Sequence, residues 1–164
     1  MVDQDDGAKL ESRPPSLNDL LRLCRELNIQ DAKYIVIGGM AMIQAGFVRA
    51  TEDIDLLIES STENQERVRK ALMSLPDKAV RSVQPQDLDK YTVVKVADEF
   101  VVDLMKSACG IDYQHAENLC ETVIIEGVNI PFANPRLLWN LKQTHREKDE
   151  LDLVFLRELL KKHP

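Results

Sequence analysis

Asp53-Ile54-Asp55-Leu56 leads into an apolar run ending at Ile58, and it follows the glycine pair Gly38-Gly39 that closes the strand-like run Tyr34-Ile35-Val36-Ile37. A strand turns successive side chains to opposite faces, so this spacing puts Asp53 and Asp55 on one face while Ile54 and Leu56 anchor the other in a core. Two carboxylates so placed can grip a divalent metal. The glycine pair leaves backbone N–H groups open to an anion at the start of the helical run Met40 to Gly46, the usual physical solution for a phosphate. Together the two features point to a metal–nucleotide site on a sheet.

Asp-x-Asp by itself proves little, and the chain supplies its own control. Asp87-Leu88-Asp89 has the same form, but no Gly-Gly precedes it and the polar Gln84-Pro85-Gln86 predicts a loop. Order and context set the first copy apart: strand, Gly-Gly, short helix, then Arg49-x-Thr51-x-Asp53-x-Asp55 entering a second apolar run. The bland alternative is a polar strand edge with chance carboxylates.

The remaining organisation predicts an α/β (α+β) fold in one domain. With 164 residues, 44% of them hydrophobic, the chain can bury one core. Residues 1–15, acidic and ending Pro14-Pro15, read as a disordered lead before a single domain over 16–164. Ser16 caps an amphipathic helix carrying Leu17, Leu20, Leu21, Cys24 and Leu27 at helical spacing. A second helix follows Ser60-Ser61-Thr62, with Thr62 and Gln65 at capping-box spacing. Strands are expected at Ile54–Glu59, at Tyr91–Ala97 and at Phe100–Met105, the last two joined by Asp98-Glu99. A further hairpin, Thr122–Ile125 and Val128–Pro131, pivots at Gly127. Asn134-Pro135 starts a helix with Leu137, Leu138 and Leu141 on its inner stripe, and a final helix runs from about Asp149 to Lys162.

Composition narrows the function classes. The longest apolar stretch, Tyr34 to Val48, is interrupted by glycines and Gln44 and falls short of the ~20 residues needed to span a bilayer. Asp3, Asp5 and Asp6 occupy the place where a signal peptide carries positive charge. The expectation is a soluble cytoplasmic protein without membrane partners. Cys24, Cys109 and Cys120 lack CxxC spacing, which favours reduced thiols over a disulfide framework or a zinc site. The histidines His115, His145 and His163 are too scattered for a ligand set. The net charge of −7 disfavours sequence-blind binding to long duplex DNA.

At Gly38-Gly39, Arg49, Thr51, Asp53 and Asp55 the sequence resembles the DNA polymerase beta-like nucleotidyltransferase superfamily. The resemblance implies a mixed central β-sheet flanked by helices, with C-terminal helices, and a third acid on a later strand. Phe100-Val101-Val102-Asp103-Leu104-Met105 offers Asp103, a charge among β-formers that is costly to bury unless paired or metal-bound. The family's pattern extends well over Tyr34 to Asp103 and loosely over Asn134 to Leu156. Gly-Gly stands where many members carry Gly-Ser, so no serine hydroxyl is available to the phosphate.

By the same resemblance, Asp53, Asp55 and Asp103 would be catalytic and would hold two Mg²⁺ (or Mn²⁺) ions ~3.5–4 Å apart, bridging an NTP and an attacking hydroxyl. Gly38, Gly39, Arg49, Thr51 and Lys142 would bind the nucleotide. Arg49 also reads as a surface arginine at a strand entrance. The tail segment Lys142 to Leu153 is similar to an element of the toxin and abortive-infection branch, where Lys142 would neutralise triphosphate oxygens. Its plain reading makes Lys142 a solvated cation and Asp149 the N-cap of the last helix, which is the preferred reading for Asp149. The sole tryptophan, Trp139, reads as core packing rather than a base-stacking platform.

The acceptor stays open among an RNA or tRNA end, a protein hydroxyl and a small molecule. A different class of reading is also open. Small members of the superfamily serve as antitoxins or partner-binding modules, and an acidic chain suits a basic, small cognate protein partner.

Overall fold

Ser16 starts the first helix with a reciprocal cap: its hydroxyl accepts from the Asp19 backbone N–H, and the Asp19 carboxylate accepts from the Ser16 backbone N–H. In the computed structural model, which describes residues 11–163, this helix is α1 (Leu17–Ile29). Its buried stripe is Leu20, Leu21, Leu23, Cys24 and Leu27. The expected disordered lead lies mostly outside the described residues. Of its last part, Ser12 donates to the Asp98 carbonyl at 2.7 Å, and Arg13 pairs with Asp19 and Glu99.

The sheet forms from β1 (Tyr34–Ile37), β2 (Asp53–Ile58), β3 (Val94–Ala97), β4 (Val101–Met105), β7 (Cys120–Ile125) and β8 (Val128–Ala133), in the order β3-β4-β2-β1-β8-β7. It is mixed: β2 runs parallel to β4 and β1 to β8, while β1–β2, β3–β4 and β7–β8 are antiparallel. A two-stranded ribbon, β5 (Ser107–Ala108) with β6 (Ile111–Asp112), projects beside it.

Register decides which side chains share a face. Ile37 pairs with Asp55, Asp55 with Asp103, and Asp103 with Lys95, so one row crosses four strands. The opposite face carries Ile54, Leu56, Ile58 and Val102, all fully buried. Each such side chain contributes about 1.5–3 kcal/mol of burial, enough to fix the strand's register, since a slip of one residue would send the aspartates into the core. Tyr34 shares this apolar face and its hydroxyl donates to Asn28 of α1 at 2.9 Å, which places α1 there; α3 (Thr62–Leu72) packs on α1.

Beyond the strands, α2 (Gly38–Gln44) turns the chain from β1 toward β2. α6 (Pro135–Leu141) has Asn134 as N-cap, accepting from the Leu137 N–H at 2.8 Å, and packs on α7 (Glu147–Lys162). The hairpin between β7 and β8 turns through Glu126 and Gly127, both at positive φ (49° and 80°), the two-residue geometry whose twist matches that of strands.

Several local expectations shift. Asp87-Leu88-Asp89 is not a loop but a single helical turn, α4 (Asp87–Lys90), pinned by buried Leu88. It stops the third strand from beginning at Tyr91: the Tyr91 N–H donates back to the Asp87 carbonyl, and pairing starts at Val94. The helix expected to carry the Thr62/Gln65 box is capped one residue earlier, by the Ser61 hydroxyl accepting from the Asn64 N–H. Ahead of β7 the chain forms α5 (Tyr113–Ala116), followed by a 3₁₀ turn, Glu117–Leu119.

Candidate active site

Asp53 and Asp55 occupy alternate positions at the start of β2, and Asp103 sits directly beside Asp55 on β4. One oxygen from each of the three lies within 4.8 Å of the others. Asp103 is buried, while Asp53 and Asp55 are half-buried. Oxygen donors so close together suit a hard divalent cation such as Mg²⁺ or Mn²⁺.

The glycine pair is shaped by these acids. Gly38 has a left-handed φ of 68°, and a Cβ there would stand 1.9 Å from Asp55 Oδ2, so both conformation and space demand glycine. At Gly39 a Cβ would stand 2.4 Å from Thr51 Oγ1 and 3.0 Å from Arg49 Nη2. The Arg49-x-Thr51-x-Asp53 string therefore folds back over the glycines. Thr51 Oγ1 donates to the Asp53 carbonyl at 3.0 Å and fixes the entry to β2. The N-cap of α2, Ile37, makes no side-chain cap bond, so no capping side chain among the described residues occupies the helix's leading N–H groups.

A second charged cluster closes the cleft. Asp152 on α7, with no exposed surface, accepts from Arg49 Nη1 at 2.9 and 3.0 Å and pairs with Lys142 Nζ at 2.9 Å. Asp149 pairs with the same Lys142 at 3.5 Å and accepts from Thr144 Oγ1 and Arg146 Nε. Two readings are corrected here. Asp149 is not the N-cap of the last helix: Arg146 holds that position without a side-chain bond, and Asp149 lies buried in the first turn. Nor is Lys142 solvated, since it ends α6 with only 7% of its surface exposed. Arg49 keeps a buried Nε without a hydrogen-bond partner among the described residues.

Electrostatics register the strain of the acid cluster. Burial, then the charges of Asp53 and Asp103, pushes the Asp55 carboxyl up to about 7. Burial and Asp103 also raise Asp53, with Lys95 and Lys148 opposing. For Asp149 burial acts upward too, but the Thr144 hydrogen bond and the charges of Lys142 and Arg146 outweigh it and hold the carboxyl below its ordinary value. Of the acids near the glycines, Asp103 is paired with a cation, Lys95, and Asp53 and Asp55 make no ion pair among the described residues; Asp149 and Asp152 are each paired.

The cleft has a volume of about 380 Å³ and is lined by Gly38, Gly39, Arg49, Thr51, Asp53, Asp55, Asp103 and Lys142, every residue singled out from the sequence, together with Arg146, Lys148 and Asp149. Sequence reasoning missed Lys95, whose ammonium donates to Asp103 Oδ1 at 2.9 Å, and left the role of Asp152 open. Lys95 was within reach of it: a hairpin turning at Asp98-Glu99 puts Lys95 nearly opposite Asp103. Asp152 lies in the tail segment similar to the toxin-type element, but nothing local pairs it with Arg49. Trp139 is partly buried against the core, away from the cleft lining.

No family profile and no curated protein matches the chain by sequence. Solved structures do. A candidate nucleotidyltransferase from Thermotoga maritima is similar with a TM-score of 0.50 at 17% identity, over 89% of this chain and 90% of that one. An antigenic nucleotidyltransferase-like protein from Paracoccidioides brasiliensis is similar with a TM-score of 0.53 at 19% identity, over 87% of this chain and 76% of that one. The fold is a nucleotidyltransferase fold. At this identity the likeness carries the architecture alone, and chemistry must be argued from the cleft. That cleft holds an Asp53/Asp55/Asp103 cluster consistent with metal-dependent catalysis. Among the described residues, no helix is long and apolar enough to cross a membrane.

Proposed function

We propose that residues 16–164 form a metal-dependent nucleotidyltransferase that transfers NMP from an NTP to an acceptor hydroxyl and releases pyrophosphate. One observation carries the reading: three carboxylates on adjacent strands, their oxygens within 4.8 Å, face a glycine turn that no larger residue could replace. Three clustered acids, with Lys95 paired to Asp103 alone, are a cost that a pure binding surface has no need to bear.

In this reading Mg²⁺ or Mn²⁺ held by Asp53, Asp55 and Asp103 supplies positive charge to the attacking and leaving oxygens of an in-line displacement. The chain's own groups do the rest. Gly38 and Gly39 let the triphosphate approach the backbone at the start of α2. Arg49 and Lys142, fixed by Asp152, present charge to its oxygens; Thr51 holds β2 in place. The acceptor oxygen forms a bond to the α-phosphorus, the bond from that phosphorus to the bridging oxygen breaks, and the hydroxyl proton passes to Asp103.

The acceptor class we retain is a hydroxyl on an RNA or tRNA end, a protein or a small molecule, in a cytoplasmic enzyme of the toxin–antitoxin type. The test is incubation of the protein with each α-labelled NTP, Mg²⁺ and cell extract. Label should move to an acceptor with wild-type protein and not with Asp55→Ala. Equal labelling by the variant, or none by either, would overturn the proposal.

A further inference from the structure

Lys95 projects from the edge strand β3 and lies opposite Asp103, in the same cross-sheet row as Asp55. Its Nζ donates to Asp103 Oδ1 at 2.9 Å; its side chain is 59% exposed, that of Asp103 only 10%. Positive charge thus enters the acid cluster from the solvent side, on a flexible stem free to swing out. Of the other cations lining the cleft, Arg49 and Lys142 are tied to Asp152 and Arg146 to Asp149, while Lys148 makes no ion pair among the described residues.

An ammonium and a divalent ion compete for the same carboxylate in two ways. Each needs the lone pairs of Asp103, and each repels the other at ångström separations. Metal arriving alone must therefore displace Lys95 into water. Metal arriving with a triphosphate brings negative charge that can accept the displaced ammonium. The penalty then falls on free ion more than on the metal–nucleotide complex.

We propose that Lys95 is a tethered cation that neutralises Asp103 in the free protein, so that it weakens loading of free divalent metal and couples loading to the arrival of a triphosphate. This inference rests on the metal–nucleotide reading of the cleft. An exposed ion pair is weak, so the effect on free-metal affinity is a factor of about two to five.

The test is a Mn²⁺ titration of the full chain without nucleotide, followed by electron paramagnetic resonance of the free ion, on wild type, Lys95→Met, Lys95→Arg and Asp55→Asn. Lys95→Met should bind Mn²⁺ about two- to fivefold more tightly than wild type, and Lys95→Arg, which keeps the charge, should not. Repetition with a non-hydrolysable NTP analogue should show a smaller nucleotide-induced gain in Lys95→Met than in wild type. Unchanged or weaker Mn²⁺ binding by Lys95→Met, with binding abolished in Asp55→Asn, would overturn the role of Lys95 and leave the metal site standing. Absence of binding in wild type, or binding that persists in Asp55→Asn, would sink the metal site and this inference with it.

Discussion

Replacing Asp55 by asparagine should make the metal-free protein more stable, not less. In the fold its carboxyl is pushed from 3.8 up to about 7 by burial and by Asp53 and Asp103. About three pKa units at ~1.4 kcal/mol each correspond to a penalty on the order of 4 kcal/mol for holding the ionised group there. Asparagine keeps the shape and removes the charge, but it still needs hydrogen-bond partners at a half-buried site, a cost of about 1–2 kcal/mol. The net gain is roughly 2 kcal/mol, or about 4–8 °C in melting temperature for a chain of this size.

The pH dependence follows from the direction of the shift. A carboxyl raised in the folded state binds more protons there than in the unfolded chain between 3.8 and about 7, so its contribution to stability falls as pH rises through that window. Below 3.8 the penalty is absent; above about 7 it is complete. Melting curves in EDTA from pH 4 to 8.5 should therefore show the variant ahead by the full margin at the alkaline end and behind wild type by about 1–2 kcal/mol at the acid end, where only the amide's hydrogen-bond cost remains. Divalent cation should then close the gap, because a ligand at a hundred times its Kd stabilises wild type by about 2.7 kcal/mol and leaves the variant where it was. A variant less stable than wild type at pH 8 in EDTA, or a difference insensitive to pH, would refute the account of Asp55 as a strained ligand.

Three further outcomes are expected. Asp53→Asn/Asp55→Asn should lose the rise in melting temperature that millimolar Mg²⁺ or Mn²⁺ gives wild type; an equal rise, measured by differential scanning calorimetry, would place the ion elsewhere. Gly39→Val should abolish nucleotide transfer by filling the space against Thr51 and Arg49, and activity retained at wild-type level in the labelling assay would contradict the phosphate path. Asp152→Asn should cost about 3–5 kcal/mol, read as a denaturant midpoint shift at constant slope, because Arg49 and Lys142 would lose their shared buried anion.

What was legible in the sequence is what strand and turn periodicity dictate locally. Asp53 and Asp55 are one strand period apart, Gly38-Gly39 closes β1, and Asp103 is a charge between β-formers, so the acid face could be read before any contact was known. Helix α4 was not legible, because the polar residues around Leu88 carry loop composition, and only burial of that leucine makes a helical turn worthwhile. The end of the last helix nearest the cleft was misjudged for a related reason. Asp149 has the chemistry of an N-cap, yet Lys142, Thr144 and Arg146 offer its carboxylate stronger partners than a helix N–H does.

The difference between the two halves of the cleft follows from sequence distance. The acid half is assembled by adjacent strands whose register is fixed by Ile54, Leu56 and Val102 on the other face, so carboxylates can be forced together at the expense of their own solvation. The cationic half joins Arg49 to Asp152 across 103 residues and depends on α7 docking against α6. No periodicity links those two positions, but buried charge does: Asp152 could not be fully buried unless both cations reached it. The helix that completes the cleft is thereby held by the very groups that would meet the triphosphate. Removing either cation should then loosen α7 as well as weaken nucleotide binding, and the two effects should scale together.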